Sequence, residues 1–407
     1  MTDKTVVVIG GGPAGMIACG RLKDRVKKVI LIEKNNFLGK KLRITGKGRC
    51  NITNTADIED IMQNIPTNSR FLYSALYSFT NDDIVSLINS LGVPTKVERG
   101  GRVFPESDNA HDVADALKRY ALGKNVRLLK DRVTGLLSED GRITGVKTTS
   151  GKIDADSVII ATGGVSYPQT GSTGDGYRLA ESVGHSVVEP KASLVPIETK
   201  EKWAKELMGL SLKNVELTLL SESGKKIYSD FGEMLFTHFG VSGPIVLSAS
   251  CHLKKAKENA KIVIDLKPAL DFQQLDARIL RDFEKFNKKH LQNSLDELLP
   301  KAIIPVIIEC AGLEPHKEVC NITRQERQRL GEIIKSLTLT VKGTRPVSEA
   351  IITSGGIKVS EINPSTMESK LVSGLYFAGE VIDVDAYTGG FNLQIAYSTG
   401  FLAGENA

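Results

Sequence analysis

The chain has 407 residues, of which 41% are hydrophobic, and a formal net charge of +5. That length suggests about two or three domains, and that apolar content suffices for a substantial core, which excludes a fibrous or disordered chain. Lys and Arg are scattered between acids, so the small positive balance predicts neither nucleic acid nor an anionic membrane as a partner.

The first element is an apolar strand, Val6-Val7-Val8-Ile9, that runs into Gly10, Gly12 and Gly15 at the spacing a bound pyrophosphate requires. Gly10 permits the tight turn, Gly12 lets the backbone approach the phosphates, and Gly15 lets the next helix pack on the strand. A plain strand-turn-helix would carry the same glycines. The surroundings favour the dinucleotide: an amphipathic helix over Ala14–Asp24 is followed by a second apolar strand, Val29–Ile32. Glu33 ends that strand, where an acid binds the ribose hydroxyls.

Further along, residues 125–131 read as a strand and Arg132 to Lys147 as a hairpin with a Glu139-Asp140-Gly141 turn. A buried strand from Asp156 enters Gly163 and Gly164, a second place where backbone can lie against a cofactor. Residues 190–352 break the alternating pattern and read as an insertion. It opens with the short strands Leu194–Ile197, Val215–Leu220 and Glu233–Thr237. A charged helical part follows from Asp271 to Ser336, hinged at Gly312 to Pro315, and the strand Leu337–Val341 rejoins the β unit. Such an insertion would cover the cofactor and supply a substrate cavity at the domain interface.

The chain closes with a strand, Leu375–Phe377, leading into Gly379 and Glu380, a Thr388-Gly389-Gly390 turn, and a helix from Asn392 to Glu405. An adenine dinucleotide that needs this second half is longer than NAD, which favours FAD. The amides at the start of that helix would stabilise the negative charge of a reduced flavin. A helix that merely closes the sheet is the alternative.

The first strand starts within a few residues of Met1 and no apolar run approaches the roughly 20 residues of a membrane span, so a cytoplasmic location is expected. The five cysteines, Cys19, Cys50, Cys251, Cys310 and Cys320, have no metal spacing and no C-x-x-C pair, so neither a metal site nor a disulfide scaffold is expected. His238 and Tyr387 are the candidates for proton transfer, although each is more readily explained as structural, and the catalytic residue stays open.

Several long motifs resemble the HI0933-like flavoproteins, also called the aminoacetone oxidase or BaiN-type family. They are the segment from Gly39 to Asn54, Pro168 to Gly176, Phe236 to Pro244, Thr353 to Ile357, and Gly379 to Asn392. The resemblance implies an α/β fold of the FAD-binding Rossmann-like, two-dinucleotide-binding-domain type, with an inserted β-barrel domain and a helical cap. The boundaries expected are 1–189 with 353–407 for the FAD-binding domain, 190–255 with 337–352 for the barrel, and 256–336 for the cap.

The expected activity is hydride transfer between a small-molecule substrate and non-covalent FAD, as an NAD(P)H-linked reductase or an amine oxidase. No second complete G-x-G-x-x-G is present, so NAD(P)H would visit only transiently as a donor. The alternatives are a flavin-dependent RNA-modifying enzyme and a non-catalytic flavin sensor. Expected cofactor contacts are Gly10, Gly12, Pro13, Ala14, Gly15, Glu33, Lys34, Lys40, Lys41, Thr45, Gly48, Arg49, Cys50, Asn51, Thr53, Val133, Ala161, Thr162, Gly163, Gly379, Glu380, Asn392 and Leu393. Of the basic side chains, Lys40, Lys41 and Arg49, together with Arg43, would offset the pyrophosphate charge. Two departures from the family pattern are Lys47, where a small residue is usual, and Phe391, where tyrosine is frequent.

Overall fold

The computed structural model describes residues 2–253 and 259–407, and the expected boundary between barrel and cap, at 255 and 256, lies outside them. The chain divides into two compact units, Met1–Ser193 with Val347–Ala407, and Leu194–Pro346.

The first unit is built on β1 (Thr2–Ile9), α1 (Pro13–Leu22) and β2 (Val26–Glu33). Five parallel strands lie in the order Leu375–Phe377, Ser157–Ile160, β1, β2, Val126–Lys130. Central β1 pairs on both edges, with Val7 opposite Val158 on one side and Ile30 on the other. Both faces of such a sheet are covered, which is why its strands read as continuous apolar runs.

The amphipathic pattern expected for α1 is corrected by its burial: Ala14 through Gly20 and Leu22 are all enclosed. Three surfaces cover the helix. A Cβ at Gly15 would strike the Gly10 carbonyl, one at Gly20 would strike the Tyr120 ring, and the backbone of Ala14 and Ala18 meets Gly400 and Gly404 of the final helix, Phe391–Asn406. Side chains such as Met16, Ile17 and Leu22 then contribute roughly 1.5–3 kcal/mol each through burial. The hairpin forms between Val133–Glu139 and Arg142–Thr148, joined by Asp140 (φ 48°) and Gly141 (φ 72°). Two successive positive φ values match the twist of the flanking strands.

The second unit holds a closed six-stranded barrel, in the order Ile197–Thr199, Gly240–Ser242, Lys226–Thr237, Ser211–Leu220, Lys261–Asp265, Leu337–Thr344. Its helices include Phe272–Lys285, Ile304–Cys310 and Arg324–Lys335. Two expectations are corrected. Lys261–Asp265, which fell within the expected cap boundaries of 256–336, alternates Ile262 and Ile264 inward and is a barrel strand. The strand expected at Leu194–Ile197 starts only at Ile197, while Val187–Ser193 pairs with Ile352–Ile357 inside the first unit. No helix of the described residues is long and apolar enough to cross a membrane.

Gly400→Ala separates two opposed effects. Ala favours a helix interior by about 1 kcal/mol over Gly, but its Cβ would press on the Ala14 backbone oxygen, which cannot rotate away. Overpacking of this kind costs about 1–3 kcal/mol, so the variant should show a lower urea midpoint than the parent.

Candidate functional site

Gly10 has φ +104°, and a Cβ there would lie 2.5 Å from the Ala161 carbonyl, so the neighbouring strand end demands glycine independently of any ligand. Gly12 is different: a Cβ there would meet nothing within 4 Å. It starts α1 without a side-chain cap, and Pro13 occupies the first turn, so the amide end of the helix opens onto free space that suits an anion. Glu33 stands beside this turn. Its Oε2 accepts the Gly11 N–H at 2.7 Å, and its Oε1 accepts the Asn35 backbone and side-chain N–H groups at 2.7 and 2.8 Å. A carboxylate has further lone pairs, so the ribose contact stays chemically open.

Lys34 turns to Asp175 and Thr173, at 2.6 Å each. Asp175 is nearly buried and also receives Arg132 at 2.8 Å and Arg178. Burial alone would raise its carboxyl, but the Lys34 ammonium and the Arg132 guanidinium hold it at about 2. Val133 opens the strand next to Arg132 and is buried.

Four basic side chains of the next segment, Lys40, Lys41, Arg43 and Arg49, carry internal partners. Lys40 donates to the Gln169 carbonyl at 2.6 Å, and Arg43 to Asp115 at 2.6 Å. Arg49 lies 4.2 Å over the Phe104 ring and binds Glu98 and Asp108. Lys41 reaches Ser166 Oγ at 2.6 Å and Glu380 Oε2 at 2.7 Å. The other oxygen of Glu380 accepts Ser166 Oγ–H at 2.9 Å and the Thr353 N–H at 2.8 Å.

Residues 45–51 form a loop with left-handed backbone at Gly46, Lys47, Gly48 and Cys50. Thr45 bonds back to the Leu42 carbonyl at 2.7 Å, and Gly48 faces open space. Cys50 is fully buried; burial pushes its thiol up to about 12 against the opposing pull of Thr45, so it stays protonated and packs rather than attacks. Thr53 donates to Gln394 Oε1 at 2.7 Å, and a Cβ at Gly390 would lie 2.5 Å from the Thr53 backbone. The final helix thus starts pressed against the end of this loop, without a side-chain cap. Asn392 holds the closing segment, accepting the Ala386 N–H at 2.9 Å and donating to its carbonyl at 2.7 Å, with Leu393 half-buried beside it.

The cradle is continuous. Gly39 N–H donates to the Gly11 carbonyl at 2.8 Å, and a Cβ at Gly379 would stand 3.0 Å from that of Ala14. Ala161, Thr162 and Gly163 end the strand between these groups, and Gly163 takes φ +72°. His238 lies in the second unit, its ring edge-on to Phe239, whereas Tyr387 lies in the first. Ser166, Thr353, Asp175, Gln394 and Asp385 escaped the sequence reading although all are buried and polar. Asp385 Oδ2 accepts Ser193 Oγ–H at 3.0 Å, while its Oδ1 has no hydrogen-bond partner among the described residues. Thr353, Asp175 and Asp385 lay within motif segments, and Ser166 and Gln394 just outside them, where spacing does not reveal which side chains turn inward.

An FAD fits these residues. Open space lies over Gly12 and Gly48, two helix starts lack side-chain caps, and Asn51 Oδ1 and Thr162 Oγ1 are buried without partners. Fold and site define a Rossmann-type FAD-binding flavoprotein.

Comparison with known proteins agrees. The family model described as "HI0933-like protein Rossmann domain" matches residues 4–406, and the chain belongs to that family. It is an FAD-dependent oxidoreductase. A relative from Clostridium scindens, 3-dehydro-bile acid delta(4,6)-reductase, is 31% identical over 98% of each chain. One from Haemophilus influenzae, ribosomal RNA dihydrouridine synthase, is 32% identical over 97% of this chain and 96% of its own. A protein of the same name from Escherichia coli is 29% identical over 98% and 97%. Among solved structures, 3-ketosteroid delta1-dehydrogenase from Sterolibacterium denitrificans shares the fold, with a TM-score of 0.52 at 13% identity over 99% of both chains.

Glu33→Ala removes both the carboxylate expected to bind the ribose and the acceptor for the Gly11 N–H. Purified variant protein should retain less flavin per chain, read from its visible absorbance, than the parent. Asp175 supports a second expectation. Its folded carboxyl titrates near 2, below the unfolded value of about 3.9. The stabilisation it supplies is complete above pH 4 and fades as pH falls toward 2. Asp175→Asn should therefore lower the melting temperature at pH 7, with the gap to the parent closing in acid.

Proposed function

We propose that this protein saturates a carbon–carbon double bond conjugated to a carbonyl in a small-molecule substrate. One observation carries the reading: relatives aligned over nearly their whole length bear different names that describe the same chemical change. Removal of delta(4,6) unsaturation from a 3-dehydro bile acid and conversion of uridine to dihydrouridine each add two hydrogens to a double bond in conjugation with a carbonyl. This supports the reductase reading over amine oxidation.

Bound FAD supplies the two-electron chemistry. The chain's part is to bind, orient and stabilise charge. The first amides of α1 beyond Pro13 would face the pyrophosphate, which Gly12 lets approach, and Glu33 would bind the adenosine ribose. The uncapped start of the 16-residue final helix favours negative charge beside it, which eases acceptance of electrons there. The electron donor is a nicotinamide that visits without a Rossmann domain of its own.

The names of two relatives favour a second reading, in which the reduced ring is a uracil of ribosomal RNA. The net charge of only +5 supports the small molecule instead. Anaerobic mixing tests both arms. NADH or NADPH should bleach the yellow protein, and a 3-oxo-4-ene steroid acid should restore its colour. Bleaching by amines with no response to the enone would overturn the proposal. Loss of a dihydrouridine from ribosomal RNA in a strain lacking the gene would transfer the substrate assignment to RNA.

A further inference from the structure

Five cations crowd residues 40–49, and four of them are committed to internal partners: Lys40 to Gln169, Lys41 to Ser166 and Glu380, Arg43 to Asp115, and Arg49 to Glu98 and Asp108. Lys47 differs. It is exposed and makes no hydrogen bond or ion pair among the described residues. Its backbone is also unusual, with φ 59° and ψ 40°, between Gly46 at φ 57° and Gly48 at φ 84°. A side chain tolerates this left-handed conformation only at a cost that glycine avoids, and such strain gathers at functional sites.

The loop beneath Lys47 is held in place. Gly46 sits where a Cβ would lie 3.0 Å from the Asn51 nitrogen, and Arg49 clamps the next turn onto Phe104, Glu98 and Asp108. Those two acids do not cancel the Lys47 charge, because Glu98 also faces Arg102 and Asp108 also binds Lys96. Beyond the loop, Gly48 opens onto free space and Thr53 abuts the start of the final helix at Gly390. Lys47, exposed and without a counterion among the described residues, therefore stands on a braced loop that runs through Asn51 and Thr53 to the start of the final helix.

We propose that Lys47 binds an oxyanion of the substrate, so that the site selects conjugated carbonyl compounds bearing a carboxylate or a phosphate. This rests on the function proposed above and adds a substrate class to it. A lysine contacts such a group as a point charge, without the fork geometry of arginine, and so accepts either anion.

The test uses FAD-loaded full-length protein with Lys47→Gly and Lys47→Glu. Glycine suits the left-handed backbone, so folding is not in question. The probes are 3-oxo-4-cholenoic acid with its methyl ester, and uridine 5′-phosphate with uridine, measured by calorimetry and by steady-state kinetics. The parent should prefer one anion over its neutral partner by about tenfold, the gain of one charge-assisted contact. That preference should vanish in Lys47→Gly, reverse in Lys47→Glu, weaken with salt in the parent and in Lys47→Glu but not in Lys47→Gly, and appear in KM rather than kcat.

The pair that shows the effect identifies the anion as carboxylate or phosphate. An equal acid-to-neutral ratio in all three proteins, or no preference in the parent, overturns the inference. Calorimetry needs no turnover. If no probe is reduced, the proposed function fails while the binding ratio still decides the role of Lys47.

Discussion

The contact between the first and last helices is the constraint on which the rest depends. Gly400 and Gly404 of the final helix lie against the backbone of Ala14 and Ala18, and Gly379 lies against Ala14, with no side chain between. Such separations are reached only where Cβ atoms are missing on one side. They bring the start of the final helix and the Gly379 turn onto the glycine turn after β1, although more than 350 residues separate them in the chain. Arg21 and Arg25 both bind Glu405, and Lys4 donates to the terminal Ala407 carbonyl at 3.2 Å, which fixes the same junction from its polar end. The two halves of the cofactor cradle are thus one packing arrangement.

Charge follows from that packing. Lys40, Lys41, Arg43 and Arg49 are tied to carbonyls and carboxylates, so the segment expected to supply cations for the pyrophosphate is also braced internally. Lys41 and Glu380 show the effect most clearly. Their bridge, with Ser166 and Thr353, links the loops after β2, after the strand Ser157–Ile160 and after the strand Leu375–Phe377. Backbone amides at helix starts, which have no intrahelical partner, are donors left open to an anion. These are preorganised by the fold and lose no side-chain freedom when a ligand arrives.

The βαβ opening was legible because its function and its packing impose the same residues. Gly10 and Gly15 answer to Ala161 and to the Gly10 carbonyl as much as to a phosphate, so the spacing reports real close approaches. The hairpin turn at Asp140 and Gly141 was legible for the same reason, since its backbone needs those residue types. Amphipathicity misled where burial is set by more than one neighbour, as in α1. The strand Lys261–Asp265 escaped because five alternating residues beside a charged stretch carry little periodic signal. Side-chain partners were the least legible. Nothing in the spacing of Arg49 distinguishes a phosphate from Glu98 and Asp108, both brought to it by tertiary structure.

Two atoms connect stability to ligand binding. Asn51 Oδ1 and Thr162 Oγ1 are buried without partners, one beside the strained loop and the other at the strand end next to Gly10. A buried polar atom left unpaired costs about 1–3 kcal/mol, and left-handed backbone at Lys47 and Cys50 adds strain of order 1 kcal/mol or more at each. Such costs are not confined to these segments, since the Tyr177 and Tyr397 hydroxyls, on two helices of the same unit, are also buried without partners among the described residues. A ligand that supplies the missing partners binds the folded chain alone, and its binding free energy adds directly to the stability of the fold.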